Sequence, residues 1–372
     1  MESRVSILPD LTYVYHIITS AKHDGYEKEV LRTITIVELA NSYTQIQGMG
    51  ASEETIGNKK LGAEFNIWTK APTGLGGGAG KRENILEQGR KSNEVLKLSK
   101  VSLFTVAICR SLRSYHFLDI GVLSPRSGRN CPSGRDFRCN SNTIRRRSLR
   151  KGTHTSSCSS PTSRLQKANL KLKFGLSNMS RDQVLEHYNY AKSHNYILPT
   201  VYQASYSLAV RGIETALIPT LRGLGISIQA YSPLASGLLS KTVEQIENAH
   251  GTERWDPNSP YGMVSRYMFY KPSYMKLLTE FGKLSKESSV SRVGLGYRWV
   301  QYHSALKGEL GDEIIVGANS AKQFRETVEE IEKGPLEQWV VERIQGLWGL
   351  VKDDAPVDNL EAIREVFGGL SK

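Results

Sequence analysis

Two short apolar runs end in glycine and small polar residues, at positions 174–178 (FGLSN) and 314–320 (IIVGANS). Each run has the length and composition of a buried parallel strand, and a helix-like pattern follows it. A ligand can approach the backbone closely only where side chains are small, and parallel α/β folds bind their ligands at the carboxyl ends of strands. The two segments are therefore candidates for binding the same ligand.

The elements that would hold these segments alternate between strand and helix. The pattern predicts strands at 198–204, 226–231 and 313–316, and helices at 213–224, 274–286, 293–302, 321–333 and 336–352. Gly225 suits the end of the first of these helices, and the last helix is expected to turn Trp339, Val340, Ile344 and Trp348 toward the core. Such alternation is typical of βαβ units and a parallel sheet.

A second readable region lies nearer the amino terminus. A helix is predicted from Ser52, the expected N-cap, to Gly57, and a further helix over 84–98. A strand is predicted over 65–70 and a glycine loop over 74–80. The length of 372 residues allows one large domain or two, and α/β barrels commonly fill such a length as a single domain.

The net charge of +12 is concentrated in one segment, 107–168. That segment holds 13 basic and 2 acidic residues, which leaves the rest of the chain close to neutral at +1. Its Arg, Ser, Asn, Gly and Pro content shows no sustained period, so we expect a disordered basic insertion. A basic arm that binds nucleic acid, centred on residues 145–147, is the alternative, but no interleaved aromatic pattern or known nucleic-acid module accompanies it.

Several other classes of protein find no support. The chain has no apolar run of about 18 residues, so no membrane span is expected, and we find no signal peptide. All four cysteines lie within the basic segment at separations of 22, 8 and 19, which match no common zinc pattern, and the eight histidines include no i, i+4 pair. The expectation is a cytoplasmic protein without a metal site.

The motifs, taken together, resemble the aldo-keto reductase family, most closely its aflatoxin-aldehyde-reductase-like branch. They are, in chain order, 40–43 (ANSY), 51–54 (ASEE), 68–70 (WTK), 174–178 (FGLSN), 198–203 (LPTVYQ), 230–239 (AYSPLASGLL), 297–299 (YRW) and 317–327. The similarity is continuous over 171–352, with a further block over 38–104. It implies one (β/α)8 TIM barrel over 1–372, interrupted by 107–168 and incomplete or distorted in its N-terminal half.

The resemblance also implies a catalytic set for reducing small aldehydes or ketones with NADPH. Tyr43 matches the tyrosine that protonates the carbonyl oxygen, and Lys70 matches the lysine that lowers the pKa of that tyrosine. Glu38 stands where the family has aspartate. The family's histidine has no match, because Ala107 occupies its place, and His116 is the nearest candidate.

Cofactor contacts carry over mainly from the second half of the chain. Ser177, Asn178 and Gln203 match residues that hydrogen-bond the nicotinamide carboxamide, and Tyr231 matches the ring that stacks on the nicotinamide. The loop over the pyrophosphate and the adenosine end correspond to Ser232, Pro233, Leu234, Ser236, Gly237, Leu239 and Lys241, and to Asn319, Ser320, Gln323 and Thr327. Lys322 and Arg325 would favour a 2′-phosphate and hence NADPH. Relatives of this branch are often dimers, so a homodimer is a further expectation.

Three alternatives remain beside an active reductase. In the first, the chain would be a barrel that binds NADPH but is catalytically impaired. In the second, it would be a mis-spliced or frame-shifted product that does not fold stably. In the third, it would be a nucleic-acid-binding protein that acts through 107–168. Turnover would argue against the impaired barrel, and a cooperative melt would argue against the unstable product. Salt-dependent binding to duplex DNA would support the nucleic-acid-binding protein.

Overall fold

The computed structural model describes twelve parts of the chain, which comprise all of the elements discussed below. They are residues 15–19, 33–35, 51–58, 60, 66–71, 82–97, 103–107, 173–250, 254–318, 321–357, 362 and 365–367. The glycine loop over 74–80, His116, the four cysteines and the expected basic insertion beyond Ala107 lie outside the described residues.

Eight strands form a closed barrel in the order of the sequence, which confirms the predicted α/β barrel. The strands are β1 (Tyr15–Thr19), β2 (Thr33–Thr35), β3 (Asn66–Ala71), β4 (Leu103–Ala107), β5 (Lys173–Ser177), β6 (Pro199–Ser205), β7 (Ser227–Tyr231) and β8 (Glu313–Gly317). Strands β2 to β8 are parallel, each to the next. Their carboxyl ends therefore meet at one edge of the barrel, which we call the carboxyl edge.

Strand β1 runs against both of its neighbours. Tyr15 pairs with Gly317 at the end of β8, and Thr19 pairs with Glu313 at its start. The pairing with β2 is antiparallel as well. The barrel thus closes with eight strands, and the distortion expected in the N-terminal half is found at β1.

Helices surround the barrel in the described ranges. They are α1 (Ala51–Asn58), α2 (Arg82–Val95), α3 (Arg181–Ser193), α4 (Leu217–Gly223), α5 (Val243–Glu247), α6 (Pro260–Phe269), α7 (Pro272–Glu287), α8 (Arg292–Tyr302), α9 (Ala321–Glu332) and α10 (Gln338–Val351). None of the helices in these parts of the chain combines the length and apolar composition that a bilayer crossing requires.

Two helical predictions need correction. The helix expected over 213–224 is a 3-10 turn (Gly212–Glu214) followed by α4. Pro219 explains the break, because proline has no N–H to donate and is tolerated only in the first turn of a helix. Trp339 is 39% exposed, and its indole N–H donates to Glu337 at 2.7 Å instead of facing the core.

Local sequence features end and begin the helices that flank the site. Ser180 and Gln183 form a reciprocal capping box at the start of α3, directly after β5. Gly225 follows α4 with φ of +68°, as the C-cap prediction requires, and leads the chain into β7. Ser52, by contrast, lies inside α1, which begins at Ala51.

The barrel has one apolar layer inside and a larger core outside. Inside, Trp68, Val201 and Ile315 are buried together, although they come from β3, β6 and β8, and Tyr231 packs against them. Outside, the alternate strand positions pack against the helices, as Leu176, Tyr202 and Ile228 do. Residues two apart on a strand share a face, so the residues next to the interior layer can be identified from the register.

Candidate active site

A row of polar residues crosses four neighbouring strands inside the barrel. Ser177 pairs in register with Gln203, Gln203 with Gln229, and Gln229 with Glu313. Ser177 is the last residue of β5 and Glu313 is the first of β8, because the strands of a closed barrel are tilted and staggered. The row therefore descends from the carboxyl edge to the opposite, amino edge.

Two atoms near the carboxyl-edge end of this row are buried and have no hydrogen-bond partner among the described residues. They are the hydroxyl oxygen of Ser177, which is 0% exposed, and the side-chain oxygen Oε1 of Gln203, which is 1% exposed. A buried polar group without a partner costs about 1–3 kcal/mol, so native proteins usually satisfy it. These two atoms are the hydrogen-bonding groups that a polar ligand at this edge would satisfy.

An aromatic ring lies next to them at the end of β7. The hydroxyl of Tyr231 donates to Oδ1 of Asn178 at 2.6 Å, which ties the end of β7 to the residue after β5. Asn178 has φ of +55°, a left-handed conformation that asparagine tolerates better than most residues. Tyr231 is only partly buried, so part of its surface at the carboxyl edge is accessible.

The loop after β7 concentrates unusual backbone geometry. Within six residues, Ser232, Ala235, Ser236 and Gly237 have φ of +56°, +48°, +58° and +83°. Each non-glycine residue in this region costs of order 1 kcal/mol, and such strain clusters at ligand-binding segments. A side chain at Gly237 would meet no atom within 4 Å, so here the need for glycine is conformational.

This loop also leaves backbone donors available. The N–H groups of Ala235, Leu238 and Leu239 donate to carbonyls of the loop itself. Those of Ser236 and Gly237 find no acceptor among the described residues. Successive free N–H groups in such a turn form a concave site that favours an anion.

Apolar residues anchor the loop to the body of the barrel. Leu238 and Leu239 are 0% exposed, and Pro233 is buried. On the opposite side, Gly296 of α8 leaves room for the loop, because a Cβ there would approach Cδ2 of Leu234 to 2.6 Å. Lys241, which is partly buried, ends the loop just before α5.

The predicted adenosine contacts are only partly described. Asn319 and Ser320 lie outside the described residues, between the end of β8 and the start of α9. Gln323 is exposed on α9, while the hydroxyl of the buried Thr327 donates to the carbonyl of Gln323 at 2.9 Å. Lys322 and Arg325 are exposed on the same helix, and Lys322 lies 3.8 Å from Glu326.

Of the predicted catalytic residues, the structure describes only the backbone of Lys70. Glu38 and Tyr43 lie outside the described residues. Lys70 is the fifth of the six residues of β3, in register with Thr105 of β4, so its backbone is close to the carboxyl edge. Ala107, which takes the place of the family's histidine, is the last residue of β4.

A partly buried polar network supports the carboxyl edge from beside the row. Arg211 donates two hydrogen bonds to Glu214 and lies 4.9 Å from the ring centroid of Trp299. Tyr206 donates to the same carboxylate at 2.5 Å, and burial together with that negative charge raises the pKa of Tyr206. The backbone N–H of Tyr206 donates to the carbonyl of Tyr231 at 3.0 Å, so this network holds the end of β7 in place.

The sequence analysis missed Gln229 and Glu313, which complete the row. A glutamine in the middle of an otherwise apolar strand, SIQAY, was the available indication for Gln229. Nothing local distinguishes Glu313, because its relation to Gln229 depends on the pairing of strands 84 positions apart. Among the described residues, no group of three His, Cys, Asp or Glu side chains could hold a metal ion.

Comparison with known proteins identifies the family of this barrel. The aldo/keto reductase family model matches residues 163–349. The oxidoreductase sirO of Leptosphaeria maculans is 36% identical over 316 residues, which cover 85% of this chain and 83% of the relative. Aflatoxin B1 aldehyde reductase member 2 is 35% identical in Rattus norvegicus and 34% in Homo sapiens, where the match covers about half of this chain and of each relative. The chain therefore belongs to the aldo/keto reductase family of oxidoreductases.

Proposed function

We propose that this protein uses NADPH to reduce small aldehydes or ketones to alcohols, with the cofactor bound at the carboxyl edge. The observation that carries the proposal is a pair of buried atoms, the hydroxyl of Ser177 and Oε1 of Gln203, which have no hydrogen-bond partner within the described ranges. A carboxamide has one acceptor and an NH2 donor group. The hydroxyl can donate to its oxygen, and the glutamine oxygen can accept from its nitrogen, so the residues present fit a nicotinamide.

The neighbouring groups fit the rest of the cofactor. Tyr231 would supply a ring for stacking, fixed in its plane by the hydrogen bond to Asn178. The free N–H groups of Ser236 and Gly237 suit a pyrophosphate. Lys322 and Arg325 are exposed on the first turns of α9 and would neutralise a 2′-phosphate, which favours NADPH over NADH.

The catalytic roles follow from the family resemblance. When bound, the cofactor supplies the hydride that reduces the carbonyl carbon. Tyr43 would give its proton to the carbonyl oxygen, with Lys70 lowering the pKa of the phenol from its ordinary value of about 10 and Glu38 orienting the lysine. Relatives named aldehyde reductases support an aldehyde as the substrate. We also propose a cytoplasmic location for the reaction.

Cofactor binding is the first test. NADPH is titrated into the purified chain while tryptophan fluorescence is recorded, for the unsubstituted protein and for Tyr231→Phe and Tyr231→Leu. Stacking requires the ring but not its hydroxyl, so Tyr231→Leu is expected to weaken binding about tenfold and Tyr231→Phe much less. Tyr190→Leu, on the outer helix α3, is the matched control and should bind like the parent. Absence of saturable binding by the unsubstituted chain would overturn the proposal.

Turnover is the second test, and it separates the enzyme from a cofactor-binding relic. NADPH oxidation is followed by absorbance with a panel of small aldehydes. Removal of the proton donor by Tyr43→Phe should lower kcat by roughly 10²–10⁴ and leave the Kd for NADPH unchanged. Saturable NADPH binding without turnover of any aldehyde or ketone would favour the impaired barrel instead.

A further inference from the structure

The side chains of the polar row form a hydrogen-bonded chain that leads away from the site. Nε2 of Gln203 donates to Oε1 of Gln229 at 2.8 Å, and Nε2 of Gln229 donates to Oε2 of Glu313 at 2.6 Å. Both glutamines are 1% exposed. Small barrels of this kind usually fill their interior with apolar side chains, so a polar chain here is costly unless every orientation in it is specified.

The carboxylate of Glu313, at the amino-edge end of the row, determines the orientation of both glutamine amides. An ionised carboxylate can only accept hydrogen bonds, whereas an amide has a donating and an accepting side. Glu313 therefore requires Gln229 to present its NH2 group, which leaves the oxygen of Gln229 facing Gln203. Gln203 must then present its own NH2 group to Gln229. Its oxygen is the group left over at the carboxyl edge.

We propose that Glu313 is a positioning residue for the cofactor, which acts through Gln229 to hold the Gln203 amide with its oxygen toward the nicotinamide carboxamide. This inference rests on the proposed function. Without the carboxylate, both amides can rotate together by half a turn at little cost. Gln203 would then offer NH2 to the NH2 of the carboxamide, where two donors face each other.

The consequence is a specific kind of selectivity. Oε1 of Gln203 can accept only from a ligand that has a donor at the carboxamide position. A cofactor with an acetyl group in place of the carboxamide keeps the oxygen but has no N–H. The unsubstituted protein should therefore bind NADP+ more tightly than 3-acetylpyridine adenine dinucleotide phosphate, by about tenfold for one buried hydrogen bond.

The experiment measures the Kd of both dinucleotides for the full chain and for Glu313→Gln, which preserves shape and removes only the fixed acceptor. We expect Glu313→Gln to leave the competent amide orientation about half populated and so to weaken NADP+ binding about twofold. Binding of the acetyl analogue should be nearly unaffected, so that the tenfold ratio falls to about fivefold. Glu280→Gln on the outer helix α7 is the control, and its ratio should remain that of the parent. A merely structural defect would weaken both ligands alike.

A second substitution keeps the test decisive if the first one disturbs the barrel. Gln229→Met interrupts the hydrogen-bonded row in the middle and should lower the ratio to a similar extent, and Glu313→Gln added to Gln229→Met should then change it no further. Binding of NADP+ with an unchanged ratio in Glu313→Gln would overturn this inference alone. Failure of the unsubstituted chain to bind either dinucleotide would overturn the proposed function and this inference with it.

Discussion

The two edges of the barrel treat buried polar groups in opposite ways. At the amino edge, Asp312 is 1% exposed and both of its carboxylate oxygens are bonded. Arg222 donates to each of them, and the backbone N–H groups of Ile228 and Lys307 add bonds of 2.8 and 2.7 Å. At the carboxyl edge, Ser177 and Gln203 are as deeply buried, yet each keeps an atom without a hydrogen-bond partner in the part of the chain that the structure describes.

This difference separates stability from function within one fold. Asp312 joins α4, β7 and the turn before β8, so its bonds are internal and complete. The open atoms at the other edge reduce the stability of the free protein and become useful only when a ligand supplies their partners. Substitutions at the amino edge should therefore change stability, and substitutions at the carboxyl edge should change ligand binding.

The largest expected effect is that of Asp312→Ala at the amino edge. The substitution leaves Arg222 without its counter-ion and two backbone N–H groups without acceptors, and removing one partner of a buried ion pair costs about 3–5 kcal/mol. We expect a loss of about that size in the free energy of unfolding, measured by urea denaturation. Where the variant still folds, its Kd for NADPH should be close to that of the parent.

An exposed ion pair provides the control for this substitution. Lys333 lies 3.0 Å from Glu330, and its side chain is 59% exposed. Lys333→Ala should cost less than about 0.5 kcal/mol, since surface pairs contribute little. Equal losses from Asp312→Ala and Lys333→Ala would contradict the view that the amino edge carries stability.

A somewhat smaller loss of stability is expected on acidification, through protonation of His187 on the outer helix α3. Burial lowers the pKa of His187 from 6.5 to about 4. Between these two values the unfolded chain binds a proton that the folded chain does not, so acidification favours unfolding. The contribution is fully present above about pH 6.5 and is lost as the pH falls toward 4, by about 3 kcal/mol in total.

The measurement compares the free energy of unfolding at pH 7 and at pH 4.5 for the parent and for His187→Gln. The uncharged side chain has no proton to gain, so the variant should lose less stability on acidification than the parent. NADPH binding at pH 7 should not differ between the two. If both proteins lose the same stability in acid, His187 does not control this pH dependence.

The smallest effect, and the sharpest contrast, is expected from Ser177→Ala at the carboxyl edge. The substitution removes a buried hydroxyl that has no partner, so the melting temperature should stay the same or rise. The Kd for NADPH should increase about threefold to tenfold because the carboxamide loses one hydrogen bond.

Ser207 provides a matched buried serine whose hydroxyl is bonded. It is 0% exposed and accepts from the N–H of Ala209 at 3.3 Å. Ser207→Ala should lower stability by about 1 kcal/mol and leave the Kd for NADPH unchanged. A loss of stability in Ser177→Ala comparable to that in Ser207→Ala would show that the hydroxyl of Ser177 is not an open binding group.

Local patterns predicted much of the fold in the second half of the chain. Apolar runs, caps and glycines predicted strands β5 to β8 and helices α7 to α10 within a few residues. The FGLSN, LPTVYQ and AYSPLASGLL motifs place Ser177, Gln203 and Tyr231 at or near the carboxyl ends of their strands. The exceptions have local causes too. Pro219 divides the helix expected over 213–224, and Trp339 finds a carboxylate at the surface.

The sequence by itself determined which residues form the strands and which of them end in small or polar groups, because those properties depend on neighbours a few positions apart. Only the tertiary structure decided that Ser177, Gln203, Gln229 and Glu313 form one row, and that β1 enters the barrel in reverse. Register across a closed barrel depends on the tilt of all the strands together. The orientation of the Gln203 amide therefore depends on a carboxylate that is 110 positions away in the chain and two strands away in the barrel.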